Sequence, residues 1–270
     1  MLLLTLSACS KGAVSGSVTD GLSGQPVSEL RILARSEATD LTCQAFETTT
    51  DASGAYSFDA LCAGNTYTLS SGDEDRFFTG TTEVSGDAQL PDNALQSWIG
   101  PDGSGVYILD AEGKMTPMRT HSDVQKASIF ETETMVRYPD STPGTWPRIV
   151  PGTYLMLVGQ STIENQKLHP METSPEVKFN PDRDGITHFS LGQPWLYIGA
   201  KMDEEGGYTQ LTAQLDEAKL IEASAGERAV RYIPADALPA GKYALLPDKA
   251  KRTYMMEFGA APAGEEPASE

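Results

Sequence analysis

The sequence predicts an all-β protein: an N-terminal β-sandwich followed by a second β-rich region. Three observations lead there. Apolar and polar residues alternate in short runs, the pattern of half-buried strands. Clusters of Gly, Asp, Asn, Ser and Pro punctuate those runs at close intervals, as in sandwiches and barrels. A single helical spacing stands out, Leu211, Leu215, Ala218 and Glu222, and its last member is charged.

Residues 1–8 read as the remnant of a signal peptide. They are far short of the roughly 20 apolar residues a spanning helix needs. They fit the apolar part of a secretion signal, commonly about 7–15 residues. Small residues Ser7 and Ala8 then precede Cys9. Leu6-Ser7-Ala8-Cys9 resembles the lipobox of bacterial lipoproteins. The resemblance implies that the Cys9 thiol receives diacylglycerol, that the leader is removed, and that the new amino terminus is acylated. No basic residue precedes the leucines, so the translation start is expected upstream of Met1. Residues 9–11 become the lipidated terminus and tether. One acyl chain holds a protein marginally and two signals hold it stably, so a three-chain terminus is expected to stay on its bilayer. Ser10 follows the lipidated position; aspartate there retains some lipoproteins at the inner membrane, so the expectation leans to the outer membrane of a bacterial envelope.

Composition narrows the partners. A net charge of −18 argues against nucleic acid, whose phosphates demand Lys and Arg, and against basic-patch binding to anionic lipid. There are three cysteines, Cys9, Cys43 and Cys62. With Cys9 acylated, Cys43 and Cys62 are left as a pair, and an exported pair can persist as a disulfide. Zinc is not expected, because no histidine lies near either cysteine and the spacing is not Cys-x-x-Cys.

Residues 12–97 carry the clearest strand signals. Val14, Gly16 and Val18 open a strand, Asp20 to Gly24 turn, and Leu30 to Leu33 form the next. In TTTDASGAYSFDAL, Asp51 to Gly54 turn while Tyr56 and Phe58 resume with period two, a hairpin signature. A turn at Ala63-Gly64-Asn65 precedes Tyr67 and Leu69. These stretches, GSVTDGLSGQPV and TTTDASGAYSFDALCAGNTYTL, resemble the carboxypeptidase regulatory-like domain. The matching positions are Gly16, Val18, Asp20, Gly24, Pro26, Val27, Asp51, Gly54, Tyr56, Phe58, Leu61, Gly64, Tyr67 and Leu69. The resemblance implies a seven-stranded, transthyretin-like Greek-key sandwich; it does not imply peptidase activity, since the family's name refers to an accessory domain beside some peptidases. Some relatives belong to a wider group of starch-binding-like folds, which raises carbohydrate binding by analogy alone. Cys62 stands where the family often has proline, in keeping with a bridge to Cys43.

Residues 98–258 open with the linker-like GPDGSG. LDAEGKMTPM (109–118) aligns with MDEEGGYTQL (202–211) at an offset of 93, MVRYPD (135–140) with AVRYIP (229–234), and PGTYLML (151–157) with AGKYALL (240–246). Order is kept, and two related halves, about 106–160 and 195–250, are one reading. Two unrelated hairpins sharing turn chemistry are the other. The halves form either two small β units packed together or one larger sandwich. Residues 259–270 read as a disordered acidic tail.

Candidate chemistry is sparse. His121, His169 and His188 lie in polar, turn-rich surroundings. Asn180, Asp182 and Asp184 resemble the first half of a calcium loop, but Leu191 stands where an EF-hand places a bidentate Glu. Glu131, Glu133, Asp203, Glu204, Glu205 and Asp216 are carboxylates among 38 acidic residues, where chance pairs are expected. Trp98, Trp146 and Trp195 are candidates for stacking on a sugar or for plugging strand ends. No cofactor is expected. The reading is a non-enzymatic binding or scaffolding lipoprotein. Its partners are the bilayer, through Cys9, and an envelope protein or glycan. A carbohydrate-binding module and an accessory subunit of an envelope enzyme or transporter are the alternatives.

Overall fold

The computed structural model describes residues 11–87, 93–120, 125–130, 133–139, 146–174, 195–202, 208–247 and 253–259. It divides into two units. Unit 1 is Met1–Gly103 with Ala223–Val230, and unit 2 is Ser104–Glu222 with Arg231–Glu270.

Unit 1 is built from β1 (Lys11–Asp20), β2 (Arg31–Arg35), β3 (Ala45–Thr49), β4 (Ala55–Cys62), β5 (Thr66–Ser71), β6 (Arg76–Gly80), β7 (Glu83–Ser85) and β8 (Asn93–Ile99). They form two four-stranded sheets, β4-β1-β8-β6 and β3-β2-β5-β7. This is one strand more than the resemblance implies. β1 is the central element: it pairs antiparallel with β4 and parallel with β8. Its alternation places Val14 and Val18 inward, where they meet Ile32, Phe58, Leu69 and Leu95 in one buried cluster.

The strand ends explain the pattern of turns. Gly54 has φ +76°, and a Cβ there would sit 2.5 Å from the Val18 carbonyl oxygen. Asp51 organises the same turn: its Oδ1 accepts from the Ser53 hydroxyl at 2.7 Å and from the Ser53 and Ala55 amides. The hydroxyl bond, foremost among these, holds the Asp51 carboxyl below its ordinary pKa. A register shift between Gly12 and Val14 sets Gly12 opposite Leu61 and Val14 opposite Phe58. The bulge lets Phe58 and Leu61, three apart, both face the core.

Unit 2 is also β-rich: β9 (Gly105–Leu109), β10 (Met115–Pro117), β11 (Gln125–Phe130), β12 (Glu133–Pro139), β13 (Arg148–Ile149), β14 (Tyr154–Val158), helix α1 (Gln160–Asn165), β15 (Gln166–Ser174), β16 (Trp195–Ile198), β17 (Ala200–Met202), β18 (Tyr208–Gln210), β19 (Ile221–Ala225), β20 (Arg228–Pro234), β21 (Gly241–Pro247) and β22 (Tyr254–Phe258), with the tip of the β19–β20 hairpin, Ala223–Val230, counted in unit 1. The sheets run β10-β9-β14-β20-β19 and β11-β12-β16-β15-β21-β22-β13, with β17-β18 as a separate ribbon. The aligned hairpins have equivalent registers: Leu109 pairs with Met115 and Met202 with Tyr208, each pair displaced by the same 93 positions. The two halves nevertheless share sheets. β12 pairs with β16, and β20 neighbours β14. Separate small units packed side by side are therefore not what forms.

The helical spacing at 211–222 does not produce a helix. The segment runs extended to Leu215, makes a short 3-10 turn at Glu217–Lys219 and enters β19. Its donors go elsewhere: Leu211 N–H to the Gly199 carbonyl and Asp216 N–H to that of Ala237, each at 2.8 Å. The Asp216 carboxylate caps the turn by accepting from the Ala218 amide, so the short polar side chain favours a cap over a helix interior.

Cys43 and Cys62 are disulfide-bonded with Cα atoms 5.7 Å apart. Replacing both by serine should cost on the order of 3 kcal/mol, read as a lower denaturant midpoint for the full chain. Unchanged stability would contradict a structural role. Asp51 supplies a pH test. Its carboxylate stabilises the fold above the unfolded value of about 3.9, and that contribution is lost as pH falls through its lowered folded pKa. Asp51→Asn keeps the acceptor without the titration. Thermal melts from pH 5 downward should therefore show a shallower acid loss than wild type.

Candidate functional site

Two surfaces can be built from the residues upward, one in each unit. The first is the end of unit 1 where β1 begins. Lys11 lies opposite Cys62 in the β1–β4 ladder. β2 ends there at Arg35 and β3 starts there at Ala45, so the connecting loop 36–44 crosses this pole. The loop is held by its own bonds: Ser36 N–H donates to the Gln44 carbonyl, and the Gln44 side-chain amide donates to the Ala38 carbonyl at 2.9 Å. Within it Asp40 caps a 3-10 turn, Leu41–Cys43, by accepting from the Thr42 amide and hydroxyl. The hydroxyl bond is the main cause that lowers the Asp40 pKa and keeps it charged.

Covalent and steric closure reinforce this pole. Cys43 precedes β3, an edge of one sheet, while Cys62 ends β4, an edge of the other, so the bridge staples sheet to sheet. Cys62 N–H donates to the Tyr67 hydroxyl at 3.1 Å. A Cβ on Gly12 would collide with the Gly86 carbonyl, and one on Gly86 with the Cys62 carbonyl, so three backbone segments meet where side chains cannot fit. Leu41 stands outside this packing. Among the described residues it is the large apolar side chain left exposed, at 79 %.

The second surface is a cleft of about 430 Å³ in unit 2. Strands β14, β15, β20 and β21 and the extended segment 210–217 line it. Leu157, Ile233 and Leu245 give it an apolar floor; Gln166, His169 and Arg231 add polar groups. Arg231 pairs with Glu222. The Gln166 Oε1 is buried and accepts no hydrogen bond from the described residues. The cleft escaped the sequence reading because five separated segments supply it, and no local pattern marks their convergence.

The sequence candidates fall as follows. Cys43 and Cys62 are brought together; Cys9, Asn180, Asp182, Asp184, His121 and His188 lie outside the described residues. Trp98 is 7 % exposed, and its indole N–H donates to the Thr79 hydroxyl at 2.8 Å. Its ring fills the space over Gly21. It plugs a strand end and offers no face for sugar stacking, which corrects that candidacy. Trp146 is half-buried against Met171, Ile198, Ala244 and Met255, with Lys242 Nζ 5.2 Å from its ring centroid. The cation sits where a stacking ligand would lie. Trp195 begins β16 opposite Pro139, and its side chain lies outside the description. Among the carboxylates, Glu131 and Asp203 to Glu205 fall outside the described residues, Glu133 opens β12, and Asp216 is the turn cap. His169 lines the cleft.

The class defined by unit 1 is a two-sheet β-sandwich. More narrowly, residues 13–89 match the family model of the Carboxypeptidase regulatory-like domain, so this part of the chain carries that domain. No curated protein matches the chain. A solved structure, a DUF3823 family protein from Bacteroides ovatus ATCC 8483, aligns at 10 % identity over 92 % of this chain and 97 % of its own, with a TM-score of 0.21.

The orphaned amide oxygen gives a test. With no bond to lose, Gln166→Met should leave stability within about 1 kcal/mol of wild type, measured by chemical denaturation. A larger loss would show that the oxygen has a partner that matters.

Proposed function

We propose that the protein is a bacterial envelope lipoprotein, anchored through acylated Cys9 and leaning to the outer membrane. Its sandwich and second β region act by binding or scaffolding rather than by catalysis. The observation that carries this reading is the Cys43–Cys62 bridge. A persistent disulfide belongs to an oxidising, exported space. It also accounts for two of the three cysteines and leaves Cys9 outside the bridge, in the lipobox-like Leu6-Ser7-Ala8-Cys9. Strand β1 is described from Lys11, two positions after Cys9. A glycan-binding role gains nothing from Trp98 or Trp146, since Trp98 is buried and Trp146 lies beneath Lys242. The partner that fits better is another envelope protein.

Intact mass of the protein purified from its native membranes tests the anchor. The expected result is a chain that begins at Cys9 and carries diacylglycerol and an amide-linked acyl chain. Cys9→Ala should abolish that mass increment. A bare Cys9 with the leader attached would refute the reading.

A further inference from the structure

We propose that the disulfide pole of unit 1 lies against the bilayer, with Leu41 inserted at the lipid interface as a second, non-covalent contact. The inference rests on the acylated Cys9 reading and deepens it, because it states which face of the domain meets lipid.

Chain length carries the first step. Lys11 lies two positions after Cys9, a reach of at most about 7 Å between Cα atoms. Lys11 pairs across the ladder with Cys62, and cross-strand Cα atoms lie about 4.5–5.5 Å apart. The Cys62–Cys43 bridge adds 5.7 Å between Cα atoms, and Leu41 is two residues beyond Cys43. An anchor at Cys9 therefore brings the bilayer within reach of the 36–44 loop. The other end of the sandwich is remote. β4 runs eight residues from Ala55 to Cys62, a span of about 23 Å at the usual strand rise, and the turn at Asp51–Gly54 caps its far end.

The surface at this pole suits a neutral lipid interface. Leu41 is exposed on a turn that the disulfide and the Asp40 cap hold rigid, so its insertion costs little additional ordering. Arg35 and Glu37 line a groove at this pole, which Asn65 and Thr66 complete. Asp40 and Asp87 add negative charge, so among the described side chains no basic patch draws the pole to anionic lipid. The charged Asp40 beside Leu41 limits the depth to the headgroup and upper acyl region. One leucine does not hold a protein on a membrane, but the acyl tether makes its contact intramolecular and raises its effective concentration.

Tryptophan insertion tests this on the acylated full chain in phosphatidylcholine vesicles whose acyl chains are brominated. Leu41→Trp places a reporter at the proposed contact. Ala52→Trp places one in the exposed turn at the opposite pole. The added emission of Leu41→Trp should be quenched several-fold more strongly than that of Ala52→Trp, and high salt should not relieve it. Equal quenching, stronger quenching at position 52, or loss in high salt would overturn the inference. So would an unquenched Leu41→Trp, the result if a protein partner covers Leu41 instead. Intact mass on the same samples separates the two claims. An acylated protein without differential quenching overturns this inference alone, whereas a bare Cys9 overturns the anchor itself and this inference with it.

Discussion

A single covalent bridge ties the edges of two sheets together, and the organisation of unit 1 depends on it. β3 and β4 are edge strands of different sheets. Edge strands carry unpaired backbone groups and part easily from their neighbours. Cys43 and Cys62 close the open side between them, with Tyr67 receiving the Cys62 amide directly behind the bridge. Chain-entropy reasoning places the benefit in the unfolded state, which loses freedom when the loop is closed. The structural benefit lies in the loop itself: residues 36–44 have few apolar contacts of their own, and the bridge fixes their far end.

The remaining cohesion of unit 1 comes from ordinary burial. β1 is flanked on both sides, so its inward valines are shielded by strands as well as by the opposite sheet. Polar groups near the core are satisfied. Ser97 is buried and its hydroxyl accepts from Arg76. Arg76 also lies 3.7 Å from Asp20. Arg228, on the hairpin segment that belongs to this unit, donates to the Arg76 carbonyl and pairs with Asp102. In a chain with 38 acidic and 20 basic residues, these partly buried arginines are the scarce charge, and each is matched. None of the described acidic residues is buried, and acid at a surface favours solubility.

Unit 2 follows a different logic. Its sheets recruit strands from both aligned halves, so neither half can close its own hydrogen-bond ladder. Arg148 and Glu257 show the consequence: they are 109 positions apart, yet they sit opposite each other in the β13–β22 pair and form a 2.8 Å ion pair. Interleaving of this kind creates the cleft, because the strands that line it arrive from distant parts of the chain.

Local chemistry determined much of this protein directly from the sequence. The Asp51–Gly54 turn, the inward phase of Tyr56 and Phe58, and the turn before Tyr67 were legible because turn dihedrals and period-two burial are properties of a few consecutive residues. The cysteine pairing was legible because so few cysteines exist. Partner choice was not. Which strand lies beside β14, whether Leu211 and Leu215 line a cleft or a helix, and whether Trp98 faces solvent or Gly21 all depend on segments far away in sequence. The bulge opposite Gly12 belongs to the same class: nothing in the local residues marks it, and it exists because Phe58 and Leu61 must both reach one core. Secondary-structure period is encoded residue by residue, whereas sheet order and the surfaces it generates are settled when distant strands compete for the same backbone donors and acceptors.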